Sequence, residues 1–170
     1  LGRIDGEGFI HITGRKKEIY VLSGGKNVAP LVVEETMKSI PVISQVFLVG
    51  DGRKFCSALV TLDVGVILRD NLGMNPDKVP RDPMEQIEEL ERRGHKLSDF
   101  VESEEVRSDI ESQISELNKR FMNPEQIKKF TILPRDLNID SGELTPTLKI
   151  RRKQIRENWA DEIEAMYSGA

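Results

Sequence analysis

Two lysines stand in settings where an ammonium group can act on an anion. Lys149 follows Leu144-Thr145-Pro146-Thr147-Leu148 and opens a run of cations, Lys149, Arg151, Arg152, Lys153 and Arg156, with no acid among them. Hydroxyls, loop N–H groups and an ammonium gathered at one place make a receptor for phosphate or carboxylate. Lys26 follows Ser23-Gly24-Gly25 at the end of the strand-like run EIYVLS. Glycines at that point either make a simple turn or let a ligand approach the backbone closely. Three cations, Arg15, Lys16 and Lys17, precede the same run.

The charge order of the last segment is unusual. Its periodicity predicts a helix from about Leu148, with Ile155, Trp159, Ile163 and Met166 on one face and the acids Glu157, Asp161, Glu162 and Glu164 in the second half. A helix N-terminus favours acids and a C-terminus favours cations, each worth about 0.3–1 kcal/mol at low salt. This segment is arranged the other way round. Either neighbouring acids such as Asp140 or Glu143 neutralise a solvated face, or the cations serve an anion site.

The elements that must position these loops alternate irregularly. Residues 1–14 read as a hairpin already under way, turning at Asp5-Gly6 and Glu7-Gly8, so the chain is expected to be a piece of a longer protein. Strands are predicted at 9–13 and 18–22. A helix starts at Pro30, with Val32, Val33, Thr36, Met37 and Ile40 at helical spacing. The clearest hairpin joins 42–50 to 54–63 through Asp51-Gly52-Arg53. Between 64 and 102 the pattern weakens to a Pro-punctuated loop and a short polar helix. Ser103 caps a further helix with Val106, Ile110, Ile114, Leu117 and Phe121 on one stripe. A strand at 128–134 and a loop at 137–147 follow. The expected class is α+β: a small mixed or antiparallel sheet with a central hairpin, packed by helices, plus a hairpin at the N-terminus.

Composition sets the outer limits. With 170 residues, 38% hydrophobic and 32% charged, the chain can bury a real core under a polar surface. A net charge of −4 argues against nucleic-acid partners, since phosphate-backbone binding needs excess cations. The single cysteine, Cys56, excludes an internal disulfide and reads as a buried small hydrophobe. No apolar run is long enough for a membrane span. His11 and His95 stand alone, one in a strand and one in a surface loop, and no metal-ligand cluster is legible.

Taken together, "DGEGFIHITGRKKEIYVLSGGKNVAP" (5–30) resembles the hinge region of the adenylate-forming enzymes, and "ELTPTLKIRRK" (143–153) resembles the catalytic-lysine loop of their long-chain fatty acyl-CoA synthetase branch. The long segment between the central hairpin and the last strand is also similar to that branch. The wider superfamily carries Gly before the lysine; here Leu148 stands there, as in the long-chain branch.

The resemblance implies a reaction and a division of labour. Fatty acid and ATP would form acyl-adenylate and pyrophosphate, with Mg²⁺ bound mainly through a large N-terminal domain. The acyl group would then pass to coenzyme A (CoA), releasing AMP. Residues 1–16 would be the tail of that large domain, Lys17 the hinge, and 18–170 a mobile C-terminal domain. Lys149 would be the catalytic lysine of adenylation, Arg15 would lie near the nucleotide, and Ser23, Gly24, Gly25 and Lys26 would face CoA. The partners would be fatty acid, ATP, CoA and the missing domain of the same chain, in a cytoplasmic enzyme that could associate peripherally with a membrane. The acyl tunnel, adenine pocket and phosphate loop lie outside this sequence, so the chain alone is expected to be inactive. Two alternatives stay open: a fatty acyl-AMP ligase that loads a carrier-protein thiol, and a binding module without catalysis.

Overall fold

The computed structural model describes residues 2–4, 6, 10–12 and 18–168. Two short ribbons come first. β1 (Gly2–Ile4) pairs antiparallel with β2 (Ile10–Ile12), and β3 (Tyr20–Val21) pairs antiparallel with β4 (Asn27–Val28). The expected opening hairpin is present. The strand expected at 18–22 is shorter and turns onto β4. Arg15 and Lys17 lie outside the described residues.

Helix α1 (Pro30–Met37) starts with Pro at its first turn, where a missing N–H removes nothing. Its buried face is Pro30, Val33, Glu34 and Met37. Val32, expected on that face, is exposed, and a glutamate takes the place on the stripe.

The centre is a mixed three-stranded sheet in the order β5 (Ile43–Val49), β6 (Cys56–Leu62), β7 (Ile127–Ile132). β5 and β6 form the expected hairpin, antiparallel, with Val46 opposite Val60 and Leu48 opposite Ala58. Gly52 closes the turn with φ 70°, a conformation that suits glycine. β7 lies parallel to β6, with Ala58 opposite Phe130. Every residue of β6 is buried, because the sheet is covered on both faces.

The long β6–β7 crossover supplies most of the helices. It holds α2 (Val64–Val66), a π-turn at Ile67–Asn71, α3 (Pro83–Arg92), α4 (Leu97–Val101) and α5 (Glu104–Asn118). Ser103 caps α5 as expected, accepting the Val106 N–H at 3.3 Å. Ile110 and Ile114 of its stripe are buried. These helices and α1 cover one sheet face with Val46, Leu48, Cys56, Ala58 and Val60. The other face, with Phe47, Val49 and Leu59, is covered by α6 (Arg152–Asn158) and α7 (Ala160–Tyr167) through Ile155, Trp159, Ile163 and Met166.

The last helix therefore differs from its expected form. It begins at Arg152, not Leu148, and Trp159 interrupts it with φ −116° and ψ 31°. Residues 144–150 are drawn into a hairpin instead, closed by a bridge between Leu144 and Ile150. Cys56 is fully buried as expected, and burial pushes its thiol up to about 11. No helix among the described residues is long and apolar enough to cross a membrane.

Candidate functional site

The two lysines are presented by the same local device. In one loop the Leu22 N–H donates to the Lys26 carbonyl at 2.9 Å and the Gly25 N–H donates to the Leu22 carbonyl at 2.8 Å. In the other the Thr145 N–H donates to the Lys149 carbonyl at 2.9 Å and the Leu148 N–H to the Thr145 carbonyl at 2.8 Å. Each is a short hairpin turn whose last loop residue is left-handed, Gly25 at φ 75° and Leu148 at φ 59°. That pattern is a common three-residue hairpin solution. In each case the lysine is the next residue, so it stands at the shoulder of a rigid turn.

Leu148 has the only positive φ of a non-glycine among the described residues. A left-handed L-residue is disfavoured by about 1–2 kcal/mol. Thr145 stiffens the turn further: its hydroxyl accepts the Lys149 N–H at 3.0 Å and lies 3.0 Å from the Thr147 hydroxyl. The Lys149 side chain is exposed, and its ammonium has no ion-pair partner among the described residues.

Two buried carboxylates hold this hairpin from behind. Glu143, fully buried, accepts from Arg135 through both oxygens at 2.7 and 3.0 Å. It also accepts the Asn138 N–H, the Asn158 amide and the Trp159 indole N–H at 3.1, 3.1 and 2.8 Å. Burial alone would push its carboxyl up, but the donors of Arg135, Asn158 and Asn138 outweigh it and hold it below the usual range. The Glu143 carbonyl accepts the Arg151 N–H at 2.8 Å, which closes the base of the Lys149 loop.

The second carboxylate is Glu34 on α1. Arg152 forks onto it at 2.7 and 2.8 Å, and the Leu48 N–H donates to it at 2.8 Å. The Tyr20 hydroxyl accepts from Arg152 at 3.0 Å and donates to the Leu48 carbonyl at 2.9 Å. The guanidinium also lies 5.7 and 5.5 Å from the Tyr20 and Phe47 ring centroids. Burial works against the charge of Arg152, yet Glu34 raises its pKa further. Tyr20 is two residues from the Lys26 hairpin and Arg152 is three residues from Lys149, so one buried cluster anchors both loops.

The charge order of the last segment now has a local explanation. Lys149 and Arg151 precede the helix, Arg152 is neutralised by Glu34, and Lys153 pairs loosely with Glu157 at 3.8 Å. The expected acids were different ones: Glu143 pairs with Arg135. Glu34 and Arg135 were not singled out in the sequence, and Glu143 was singled out as a partner for the basic run, whereas it pairs with Arg135. The signal for Glu34 was an acid at helical spacing between Pro30, Val33 and Met37.

The Lys26 loop rests on the central hairpin. The Ser23 N–H donates to the Arg53 carbonyl, and the Gly52 N–H to the Val21 carbonyl, both at 2.9 Å. A Cβ on Gly24 would meet nothing within 4 Å, so the loop face is open. Beside it a cleft of ≈ 600 Å³ is lined by Ser23, Gly52, Arg53, Lys54, Glu164 and Tyr167. The Lys149 hairpin leads into the start of α6, whereas Ser23 shares this cleft with the end of α7. The structure thus brings Ser23, Gly24, Gly25 and Lys26 together in one loop and places Lys149 in another.

Acid titration gives a direct reading of Glu143. Because its folded pKa is lowered, its contribution is complete above the ordinary carboxylate value of about 4.3 and is lost as pH falls through the lowered value. Asp136, which burial raises, works in the opposite sense. Trp159 is the only tryptophan of the chain and bonds to Glu143, so its fluorescence reports this site. We expect a fluorescence transition on acidification below the ordinary carboxylate range that Glu143→Gln removes; an identical transition in both proteins would assign it elsewhere.

Comparison with known proteins fixes the family. The profile of the AMP-binding enzyme C-terminal domain matches residues 17–99 and 90–170. The chain belongs to this family. It is 38% identical over 173 residues to the long-chain-fatty-acid–CoA ligase FadD15 of Mycobacterium tuberculosis, covering 99% of this chain and 26% of that protein. It is 37% identical over 170 residues to human ACSBG1, also a long-chain-fatty-acid–CoA ligase, covering 98% and 23%. The chain therefore spans about a quarter of the length of these relatives. The fold is similar to the adenylation domain of a carboxylic acid reductase from Segniliparus rugosus, solved with AMP and a carboxylic acid, with a TM-score of 0.65 at 20% identity over 98% of this chain and 22% of that one.

Proposed function

We propose that this chain is the mobile C-terminal domain of an AMP-forming long-chain fatty acid–CoA ligase. The observation that carries the proposal is Lys149: an exposed, unpaired ammonium among the described residues, on a hairpin fixed from behind by Glu143 and Arg152. A carboxylate attacking the α-phosphate of ATP brings two anions together. A preorganised cation at that point lowers the barrier because no solvent has to reorient as charge develops. Lys149 fits that role.

The second lysine fits the second half-reaction. The open face of Gly24 admits a thin chain such as pantetheine close to backbone, and Lys26 offers a cation for the phosphates of CoA. The two loops are separate in the fold, one before α6 and one beside the end of α7, which supports their use in two successive poses. Lys17 is proposed as the pivot and Arg15 as a nucleotide contact; both fall outside the described residues. Mg²⁺ would neutralise pyrophosphate when bound. Its ligands are proposed to come mainly from the large domain.

Gly24→Ala in the full-length parent tests the assignment of the Lys26 loop. The substitution meets no atom within the domain, so stability should change by no more than about 0.5 kcal/mol. Transfer of acyl from supplied acyl-adenylate to CoA should fall, while fatty-acid-dependent ATP–pyrophosphate exchange persists. Unchanged transfer to CoA would remove this loop from the second half-reaction.

A further inference from the structure

Leu148 is in an expensive position by two independent measures. Its φ of 59° is strained for any residue with a Cβ, and glycine would remove the strain. Its side chain is 68% exposed, so the domain gains little packing from it. Its hairpin neighbours behave differently: Leu144 is buried, and Ile150 packs on the core cluster of Trp159 and Ile155. Ile139, in the same loop system, is also a large exposed aliphatic at 46%. An unfavourable backbone combined with a wet leucine serves nothing within this domain. Its benefit belongs to another state of the protein.

We propose that Leu148 is a docking residue: when Lys149 enters the active site, the Leu148 side chain packs against an apolar wall of the large domain and holds the adenylation pose. The inference rests on the proposed function. Lys149 has to reach the reacting carboxylate, so the residue joined to it necessarily enters the interface between the two domains. Interface cores are apolar and depleted of charge, and a leucine buried there gives up its contact with water. Its exposed side chain is free to meet the opposing surface. Leu148 is a positioning residue in this scheme, and Lys149 is the one that touches the reacting atoms.

The test uses the full-length parent enzyme with Leu148→Gly, Leu148→Asn and Leu148→Met, and Lys149→Ala beside them. For Leu148→Gly we expect a melting temperature equal to or above wild type, since strain is relieved. ATP–pyrophosphate exchange should fall about tenfold or more, the effect of losing one buried leucine, by the same factor for short and long fatty acids. Acyl transfer from supplied acyl-adenylate should be unchanged, and Leu148→Met should restore exchange. Three results would overturn the proposal: exchange unaffected by Gly and Asn, a loss that grows with acyl chain length (contact with substrate instead), or a loss that tracks a lowered melting temperature. If Lys149→Ala abolishes exchange while Leu148→Gly leaves it intact, this inference alone fails. If Lys149→Ala also retains exchange, the functional reading beneath it fails.

Discussion

Replacing Lys149 by alanine in the full-length parent is expected to lower ATP–pyrophosphate exchange by about 10²–10³-fold, the range found when one preorganised donor to a developing charge is removed. Acyl transfer from supplied acyl-adenylate to CoA should continue near the wild-type rate. The asymmetry is the informative part. Lys149 is exposed, and no ion pair among the described residues depends on its ammonium, so the variant keeps its fold. A loss confined to the first half-reaction would therefore be chemical. Lys149→Arg should recover little, because a planar guanidinium does not reproduce a compact point charge at the shoulder of a tight turn. Equal loss in both half-reactions would mean that the hairpin supports the domain as a whole. No loss in either would leave Lys149 a surface residue and end the assignment.

Arg152→Met is expected to give the largest loss of stability of any single substitution discussed. It leaves Glu34 buried without its cation, a change that typically destabilises by about 3–5 kcal/mol. At about 2–4 °C per kcal/mol for a domain of this size, the melting temperature should fall by roughly 6–20 °C. Glu34→Leu combined with Arg152→Met should recover part of the loss, because two apolar residues can replace a buried ion pair. Recovery should be incomplete. The Leu48 N–H donates to Glu34, and an orphaned buried donor costs about 1–3 kcal/mol. Thermal denaturation of the two single variants and the double variant measures the coupling. Additive losses would show that the pair does not act as a unit.

What was legible in the sequence was local. The β5–β6 hairpin announced itself through Asp51-Gly52-Arg53 between two apolar runs, and α5 through the Ser103 cap and its stripe. The lysine loops were visible because Thr-Pro-Thr and Gly-Gly are turn chemistry. The crossover was poorly legible for a physical reason: α2 and α4 are too short to establish a period, and Ile67–Asn71 is a π-turn that breaks it. The start of the last helix was misplaced because apolar spacing continues through Leu148, whereas the Leu144–Ile150 bridge decides the backbone there. Glu34 escaped notice, and Glu143 was matched to the wrong cations, because burial of a carboxylate depends on its partner. For Glu34 that partner lies 118 residues further along the chain.

That separation has a consequence for the making of the protein. A ribosome releases α1, and with it Glu34, long before Arg152 exists. The β5–β6 hairpin can close early from neighbouring residues, but β7 must wait for the whole crossover, and α6 follows still later. Long-range pairing is slow because loop-closure entropy is lost before contacts repay it. Until α6 and α7 emerge, a carboxylate faces a core that lacks its counter-charge, and the sheet face that these helices will cover stays open. A chain stopped short of Arg152 thus keeps an exposed apolar surface of the kind chaperones and proteases recognise. The segment around Arg152 completes the buried cluster that supports both lysine loops, so a nascent chain acquires them only once that segment has emerged.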